Sequence, residues 1–580
     1  MDRLPRAADR PGLLLTAEDL DRLREAEPPL REPRDRCIAA AEALLDEPVP
    51  EPDLSLPWAP HLVCASARLR AVQRLAFAHL LTGEARFHRR AKDHVEAILA
   101  LDLWADPCHL SHERRFTLMT GIVSQTLAHY LDWCGDAVDD EELALIAGNY
   151  RRKAVEPLLH DTDLPARFFV DRVNNWVAVM VGGAGLMALL LMDREPLYEQ
   201  ILERCAFHLR RYLTWVNDDG STDEGGNYWA FGMEHALPLL EALRLHAYRL
   251  PASLRWRHAD RLHEIPEMRA PGMAPLAQTG YFPLYCIQGD RYVVDFGDTE
   301  VGPAARMQAP LRCLARLFQD PHIQWLADRL PSDSPLALIW HDPDLQAKHP
   351  VHLPPARAFH GAGWGIVRSD LENPEGVLLA VRAGDNAKTH SHRDLGSFIL
   401  RAGGRGLIVD SGRPRYCAEY WSGEVTYGRE TIGHNCVLIG GEGQRGGEDE
   451  RATITRLEDL GRRRQMTVEV AAPDIGLQLH RREFELTTGE SERVAIRDIV
   501  RLQRAEKVTW LLHFAPEAQI EVGESCLTIR NDPAQLQVCL SPEEPVSVEV
   551  ERDHPVPFVA IETADATERA VLEFECTIVK

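Results

Sequence analysis

The sequence predicts a helical N-terminal half followed by an antiparallel β-sandwich. From about residue 65 to residue 250, apolar residues recur at steps of three and four, in paired segments separated by short Gly- or Asp-containing turns. Stacked pairs of this kind form either an open solenoid or a closed α/α toroid. Beyond residue 355 the period changes to two, which is typical of strands. The change follows the proline-rich stretch 340–355, so we predict an N-terminal domain over 1–345 and a C-terminal domain over 346–580.

The helical half begins at Thr16, a predicted N-cap with acidic residues in the first turn. The apolar period predicts helices that mostly come in pairs. They cover residues 68–81 and 87–99, 116–133 and 140–159, 175–192 and 196–215, and the stretch from 233 onward. Between residues 251 and 355 prolines are frequent, but 310–330 still has a helical period.

Alternation of apolar and polar residues predicts the strands of the second half. The expected strands are 363–368, 377–381, 398–400, 407–409, 437–439, 452–457, 465–471, 484–487, 494–502, 508–514 and 570–579. A series of this length without helices indicates two antiparallel sheets packed face to face.

Charge and length exclude several classes of protein. A formal charge of −24 over 580 residues argues against nucleic acid and anionic membrane surfaces as partners. The most apolar stretch, 176–192, contains three glycines and is predicted to be a buried helix rather than a membrane span. The N-terminus lacks a signal-peptide pattern, and the twelve cysteines have no C-x-x-C spacing, so we expect reduced thiols and a cytoplasmic location. The sequence leaves open whether the protein forms a homo-oligomer.

A small polar site is predicted between residues 384 and 440. His390 and His392 are two apart, so on an extended backbone both side chains would project from the same face. Asp410 closes the next strand and His434 opens the one after it. Two imidazoles and a carboxylate, from His392, Asp410 and His434, suit zinc or a similar divalent ion. The alternative interpretation is that these are ordinary polar residues of loops and strand ends.

Several motifs of the chain resemble the heparinase II/III-like polysaccharide lyases, which include oligoalginate lyases. They are, in order, L-L-L-T-A-E-D-L, D-R-V-N-N-W, D-G-S-T-D-E-G-G-N-Y-W-A-F-G, F-H-G-A-G-W-G-I-V-R-S, H-S-H-R-D-L-G-S-F and G-H-N-C-V. The resemblance implies an N-terminal α/α toroid, a C-terminal antiparallel β-sandwich and β-elimination of a uronate-containing glycan. It also implies a metal at His392, Asp410 and His434, with zinc favoured over manganese or calcium, and with a role more structural than catalytic.

Elimination at a uronate removes the proton on C5 and expels the oxygen on C4, so the substrate carboxylate must be met by donors. Asn175 matches the family's asparagine loop and is the first candidate. Tyr228 is the predicted proton-transfer group, because a phenol can protonate the leaving oxygen and a phenolate can take the C5 proton from the same face. His390 matches the family's second base. The alternative for Tyr228 is aromatic packing.

The remaining candidates contact substrate in our interpretation. Asn174 lies beside Asn175, and one of the two is expected to cap the helix that follows. Trp176 stands where many relatives have a histidine, and it could stack on a sugar or belong to the core. Glu224 could contact sugar hydroxyls, orient a base, or start a helix. As clamps for the substrate carboxylate we name Arg172, Arg393 and Arg429.

The sequence therefore predicts a polysaccharide lyase that acts on an acidic oligosaccharide of glycosaminoglycan or alginate type and leaves a 4,5-unsaturated uronate. A glycoside hydrolase using Asp223 and Glu224 is the first alternative, although adjacent residues rarely point into one cleft together. A non-catalytic glycan-binding protein is the second.

Overall fold

The computed structural model describes residues 12–26, 28, 30–111, 114–163, 173–250, 274–300, 304–422, 426–489, 491–523 and 525–579. The chain divides into two compact units, neither of which is continuous in sequence. The helical unit comprises Met1–Trp215, Trp229–Ala277 and Ala305–Ala347. The β-rich unit comprises Val216–Tyr228, Gln278–Ala304 and Lys348–Lys580.

Sixteen helices are described in chain order. They are α1 (Ala17–Glu25), α2 (Arg31–Ala43), α3 (Pro60–Thr82), α4 (Ala85–Leu99), α5 (Leu118–Trp133), α6 (Asp140–Tyr150), α7 (Glu156–Asp163), α8 (Asn175–Leu191), α9 (Pro196–Leu213), α10 (Gly225–Leu245), α11 (Ala274–Gln278), α12 (Tyr281–Cys286), α13 (Gln308–Phe318), α14 (Pro321–Arg329), α15 (Pro335–Ile339) and α16 (Ala418–Ser422). The predicted helical first half is thus confirmed. Thr16 caps α1 through a capping box with Asp19.

Two helical predictions are corrected. The expected helix over 310–330 is two helices, because Gln319 adopts a left-handed backbone and Asp320 then caps α14 at Pro321. The expected helix over 140–159 contains a π-helical turn, Arg151–Val155, between α6 and α7.

Helix α8 is the apolar segment at 176–192, and it lies in the core of the helical unit. It packs between α5 and α9, and most of its residues are buried. A Cβ atom on Gly183 would overlap the carbonyl oxygen of Gly121 on α5, so the two helices touch through backbone. Among the described residues, no helix combines the length and apolarity needed to cross a bilayer.

Twenty strands are described in the β-rich unit. They are β1 (Ile287–Gln288), β2 (Tyr292–Val293), β3 (Ala356–Phe359), β4 (Trp364–Arg368), β5 (Leu378–Arg382), β6 (Gly384–Asp385), β7 (Phe398–Ala402), β8 (Arg405–Ile408), β9 (Val437–Ile439), β10 (Arg451–Leu460), β11 (Arg463–Ala472), β12 (Leu477–Thr487), β13 (Arg493–Glu506), β14 (Val508–His513), β15 (Gln519–Val522), β16 (Cys526–Asn531), β17 (Ala534–Pro542), β18 (Val546–Glu551), β19 (Phe558–Thr563) and β20 (Thr567–Val579).

The strands form one large antiparallel sheet, two smaller ones and a short ribbon. The nine-stranded sheet has the order β15-β16-β17-β20-β13-β12-β11-β10-β6, and the others are β18-β19-β14-β9, β3-β4-β5-β7-β8 and β1-β2. A single cluster of buried apolar side chains, including Phe398, Phe484 and Trp510, draws on all three larger sheets. The predicted antiparallel sheets are therefore confirmed. The sequence missed β1, β2, β3, β6 and the strands from β15 to β19.

The expectation that all cysteines are reduced is wrong for one pair. Cys526 and Cys539 are directly opposite in the β16–β17 register and form a disulfide. The other ten cysteines are free. A cross-strand pair brings two cysteines together without any C-x-x-C spacing, which is why the sequence pattern did not reveal it. The disulfide weakens the reason given for a cytoplasmic location.

Candidate active site

The loop between β6 and β7 holds His390 and His392, and it is not extended. His390 has a left-handed backbone, with φ of +63°, which is uncommon for a residue with a Cβ. Both imidazoles nevertheless reach one carboxylate: His390 Nδ1 lies 2.5 Å from Asp298 Oδ2, and His392 Nε2 lies 3.0 Å from Asp298 Oδ1. The prediction that His390 and His392 share the face of an extended strand is thus wrong. The two rings converge because the backbone turns at His390.

Asp298 is the centre of the cluster, and sequence analysis missed it. Its side chain is fully buried. Besides the two histidines, it accepts hydrogen bonds from the hydroxyl of Tyr416 at 2.9 Å and from that of Tyr420 at 2.7 and 2.9 Å. Burial alone would raise the pKa of Asp298, but the bonds from His390 and His392 lower it well below its ordinary value. The group is therefore a buried carboxylate anion.

Gly297 lets the loop that carries Asp298 approach the histidine loop. Its φ is +64°, and a Cβ atom at this position would lie 2.5 Å from the carbonyl oxygen of His390. That same carbonyl accepts a hydrogen bond from the backbone N–H of Asp298 at 3.2 Å. Glycine is required here on both counts.

Tyr228 stands against His390 at the N-terminal end of α10. The two rings are stacked, with centroids 4.0 Å apart and planes 15° from parallel. The Tyr228 hydroxyl is hydrogen-bonded to that of Tyr416, whose hydroxyl in turn bonds Asp298. Burial, and then the negative charge of Asp298, raise the pKa of Tyr228 above its ordinary value. The phenol of Tyr228 is therefore neutral.

Glu224 and Asp223 are adjacent in sequence but have separate partners. Glu224 is buried, with Oε1 3.7 Å from His390 Nε2. Asp223 accepts hydrogen bonds from Lys388 at 2.8 Å and from Asn217 at 3.0 Å. Glu224 therefore belongs to the histidine–tyrosine cluster, whereas Asp223 is held in an ion pair beside it.

The residues predicted to hold a metal lie together. His392, Asp410 and His434 are buried, and each offers a ligand atom within 4.8 Å of the others. The histidine Nδ1 of His392 is buried and has no hydrogen-bond partner, while its Nε2 bonds Asp298. Burial would raise the pKa of Asp410, but the His434 imidazole, 3.0 Å away, lowers it. His434 Nε2 is likewise buried without a hydrogen-bond partner. An ionised carboxylate with two imidazoles, each of which has such a nitrogen, fits a divalent ion such as zinc.

The predicted arginine clamps have other partners or lie outside the described part of the chain. Arg172 is outside the described residues. Arg393 makes two hydrogen bonds of 2.9 Å from Nη1 to Glu430. Arg429 lies over the Tyr420 ring, with 4.7 Å from its guanidinium carbon to the centroid. Sequence analysis did not single out Arg413, which lies over Tyr416 at 5.0 Å.

Three predicted residues belong to the helical unit. Asn174 caps α8, since its side-chain oxygen accepts a hydrogen bond from the backbone N–H of Trp176 at 3.1 Å. Asn175 is buried in the first turn of the same helix. Trp176 packs edge-on against His109, and Arg114 lies over its ring. The expectation that one asparagine is a helix cap is confirmed for Asn174.

The fold and the cluster define a helical protein with an antiparallel β-rich unit whose loops carry acid–base side chains. Residues 351–573 match the family model described as Heparinase II/III-like, C-terminal. The resemblance found in the sequence is thereby confirmed for residues 351–573, which are similar to the C-terminal domain of heparinase II/III-like proteins.

Solved structures share this fold at low sequence identity. A heparinase III gene product is 15% identical, with a TM-score of 0.63, over 97% of this chain and 93% of that one. A second heparinase III is 14% identical, with a TM-score of 0.63, over 88% and 76%. The heparan sulfate lyase HepC from Pedobacter heparinus is 14% identical, with a TM-score of 0.57, over 96% and 87%. No curated protein matches the sequence.

Proposed function

We propose that the protein is a polysaccharide lyase that cleaves uronate-containing glycans by β-elimination. The observation that carries this proposal is the cluster of Tyr228, His390 and Asp298, in which a neutral phenol is stacked on an imidazole held by a buried carboxylate. Heparinase II/III-like proteins are lyases of such glycans, and the solved structures of similar fold are named heparinase III and heparan sulfate lyase.

The geometry supports a division of labour between base and acid. Asp298 accepts the Nδ1–H of His390, which leaves the Nε2 lone pair to take the C5 proton. Once Nε2 is protonated, the carboxylates of Asp298 and Glu224 stabilise the imidazolium. Tyr228, kept neutral by its raised pKa, donates its proton to the leaving O4. The phenolate-base route of Tyr228 is disfavoured for the same reason.

Donors to the substrate carboxylate complete the mechanism, because elimination requires its charge to be offset. We assign this task to the amide of Asn175, and we assign substrate binding to Arg172, Asn174, Trp176, Glu224, Arg393 and Arg429. Asn174 and Arg393 are the least supported of these substrate contacts, because Asn174 already caps a helix and Arg393 already pairs with Glu430. The helix pairs are proposed to close into an α/α toroid.

His392, Asp410 and His434 would hold a divalent ion, with zinc favoured over manganese or calcium. Such an ion would hold the loop that carries these ligands in place and would not take part in the elimination itself. His392 donates its other ring N–H to Asp298, so the ligand set and the proposed base share one carboxylate.

The substrate proposed is an acidic oligosaccharide of glycosaminoglycan or alginate type. A glycoside hydrolase is less well supported, since Asp223 pairs with Lys388 whereas Glu224 lies against His390, so the two carboxylates have separate partners. A non-catalytic glycan-binding protein does not explain a neutral phenol stacked on a carboxylate-oriented imidazole.

The direct test incubates the metal-supplied protein with alginate, hyaluronan, chondroitin and heparan oligomers and follows the ultraviolet absorbance of the new C4–C5 double bond. Tyr228→Phe is expected to lower kcat about 10²- to 10⁴-fold with folding retained, because the proton donor to O4 is lost. Tyr285→Phe is the matched control, since it removes a hydroxyl bonded to the Pro354 carbonyl outside the cluster.

Two results would count against the proposal. One is the absence of an unsaturated product with every substrate. The other is a Tyr228→Phe variant as active as Tyr285→Phe. New reducing ends without the chromophore would instead point to hydrolysis.

A further inference from the structure

The helical unit contains a cavity that the proposed chemistry does not use. Its volume is about 610 Å³, within the range of small-molecule sites. It is lined by residues of α2, α3 and α10, by the turn before α13, and by the segment that leads into α15. All of its lining residues belong to the helical unit.

Guanidinium groups dominate the charge of this cavity, in a chain whose formal charge is −24. The four arginines are Arg36, Arg70, Arg74 and Arg306, and the two carboxylates are Glu234 and Asp333. A concentration of positive charge in an acidic protein attracts anions locally.

Three of the four guanidinium groups already have a carboxylate partner. Arg36 pairs with Glu32 at 2.5 Å, across one turn of α2. Arg74 pairs with Asp333 at 2.7 Å.

The third pair joins the turn before α13 to α10, with Arg306 Nη2 3.4 Å from Glu234 Oε2.

Arg70 makes no ion pair or side-chain hydrogen bond among the described residues. Its side chain is exposed to the cavity. Surrounding protein atoms, and then the positive charge of Arg306, lower the pKa of Arg70. Two like charges, Arg70 and Arg306, therefore line one cavity, and the Glu234 carboxylate is already paired with Arg306.

We propose that this cavity is an anion-binding site, in which Arg70, with Arg306 beside it, binds the oxyanion group of a small organic acid. A guanidinium pairs with a carboxylate or sulfate in a two-point geometry. The volume accommodates a sugar acid, and the choice of a saccharide rests on the proposed function. The binding of an oxyanion stands without it.

The test measures binding by isothermal titration calorimetry on the full-length chain at constant ionic strength. The probes are sodium glucuronate, sodium sulfate and glucose, which represent a sugar acid, a free inorganic oxyanion and an uncharged sugar. Arg70→Gln removes the unpaired guanidinium. Arg89→Gln, an exposed arginine of α4 outside the cavity, is the matched control for the change in charge.

We expect glucuronate to bind the wild type and the Arg89→Gln variant, and Arg70→Gln to reduce its association constant about tenfold or more, because a charge-assisted pair is lost. Sulfate that competes with glucuronate shows that the oxyanion is what is recognised. Glucose should neither bind nor compete. Binding of glucuronate by His390→Ala, with the same dependence on Arg70, separates this site from the acid–base cluster.

The inference is overturned if neither anion binds, if Arg70→Gln binds both as the wild type does, or if glucose competes equally. Arg70-dependent binding in a protein that makes no unsaturated product would leave the cavity site standing and remove the lyase proposal. Lyase activity with no Arg70-dependent binding would do the reverse.

Discussion

Two buried carboxylates of the β-rich unit, Asp498 and Asp298, have opposite surroundings. Asp498 on β13 accepts two hydrogen bonds of 2.7 Å from Arg482, and His480 Nε2 lies 3.2 Å away. Arg482 also donates to the carbonyls of Gly396 and Asn435. Burial would raise the pKa of Asp498, but Arg482 and then His480 lower it to about 2.

Among the residues that the structure describes, no arginine or lysine donates a hydrogen bond to Asp298. Its hydrogen-bond partners are two imidazoles and two phenols, all of which can share or transfer a proton. A carboxylate paired with a permanent cation holds a sheet together, whereas a carboxylate among titratable groups can orient a base. Asp498 and Asp298 are equally buried, so it is the kind of partner that distinguishes a structural carboxylate from a candidate catalytic one.

The largest expected effect is on the structural side. Arg482→Ala leaves Asp498 buried without its cation, so we expect a loss of about 3–5 kcal/mol in the free energy of unfolding. Urea unfolding followed by circular dichroism measures it. Arg481→Ala is the control, because its partner Glu469 is partly exposed and such pairs contribute about 1 kcal/mol or less. Equal losses in the two variants would contradict the structural role given to the Asp498 pair.

The second effect concerns the divalent ion proposed for His392, Asp410 and His434, a set that adjoins Asp298 through His392. Chelation should release a divalent metal and destabilise the β-rich unit by about 3–4 kcal/mol, if the ion was present at 10²–10³ times its dissociation constant. Elemental analysis and thermal unfolding, with and without chelator, test this. In His392→Ala, which removes a ligand, unfolding should no longer respond to chelator. A wild type with no bound metal and no response would remove the metal assignment.

The third effect is on turnover. Asp298→Asn removes the charge that orients His390, so kcat should fall about 10- to 100-fold, as for other residues that orient a functional histidine. Asp498→Asn is the matched control, and it should change stability rather than kcat. Both are read in the double-bond assay together with thermal unfolding. A fall in kcat for Asp498→Asn as large as that for Asp298→Asn would erase the distinction between the two carboxylates.

Local periodicity was enough to predict most of the helices and many of the strands, and a polar motif indicated part of the histidine–tyrosine cluster. The motif around His390 and His392 pointed to the right loop, because a dense run of polar residues between buried strands is visible within one window of sequence. The apolar period also identified α8 as buried, and its glycines match the close approach to α5.

Asp298 was beyond the reach of that method. It lies 92 residues before His390 and 118 before Tyr416, and its role depends on partners from distant loops. Tyr416 and Tyr420 were missed for the same reason. The hairpin partner of Cys526 required the register of β16 and β17, which an alternating pattern does not specify.

The tight fit at Gly297 couples two loops that lie far apart in the sequence. Since the loop before Thr299 closes on the carbonyl of His390 with no space for a methyl group, the two loops keep this approach only with glycine at position 297. A chimaera that replaces residues 287–300 must therefore keep glycine at this position.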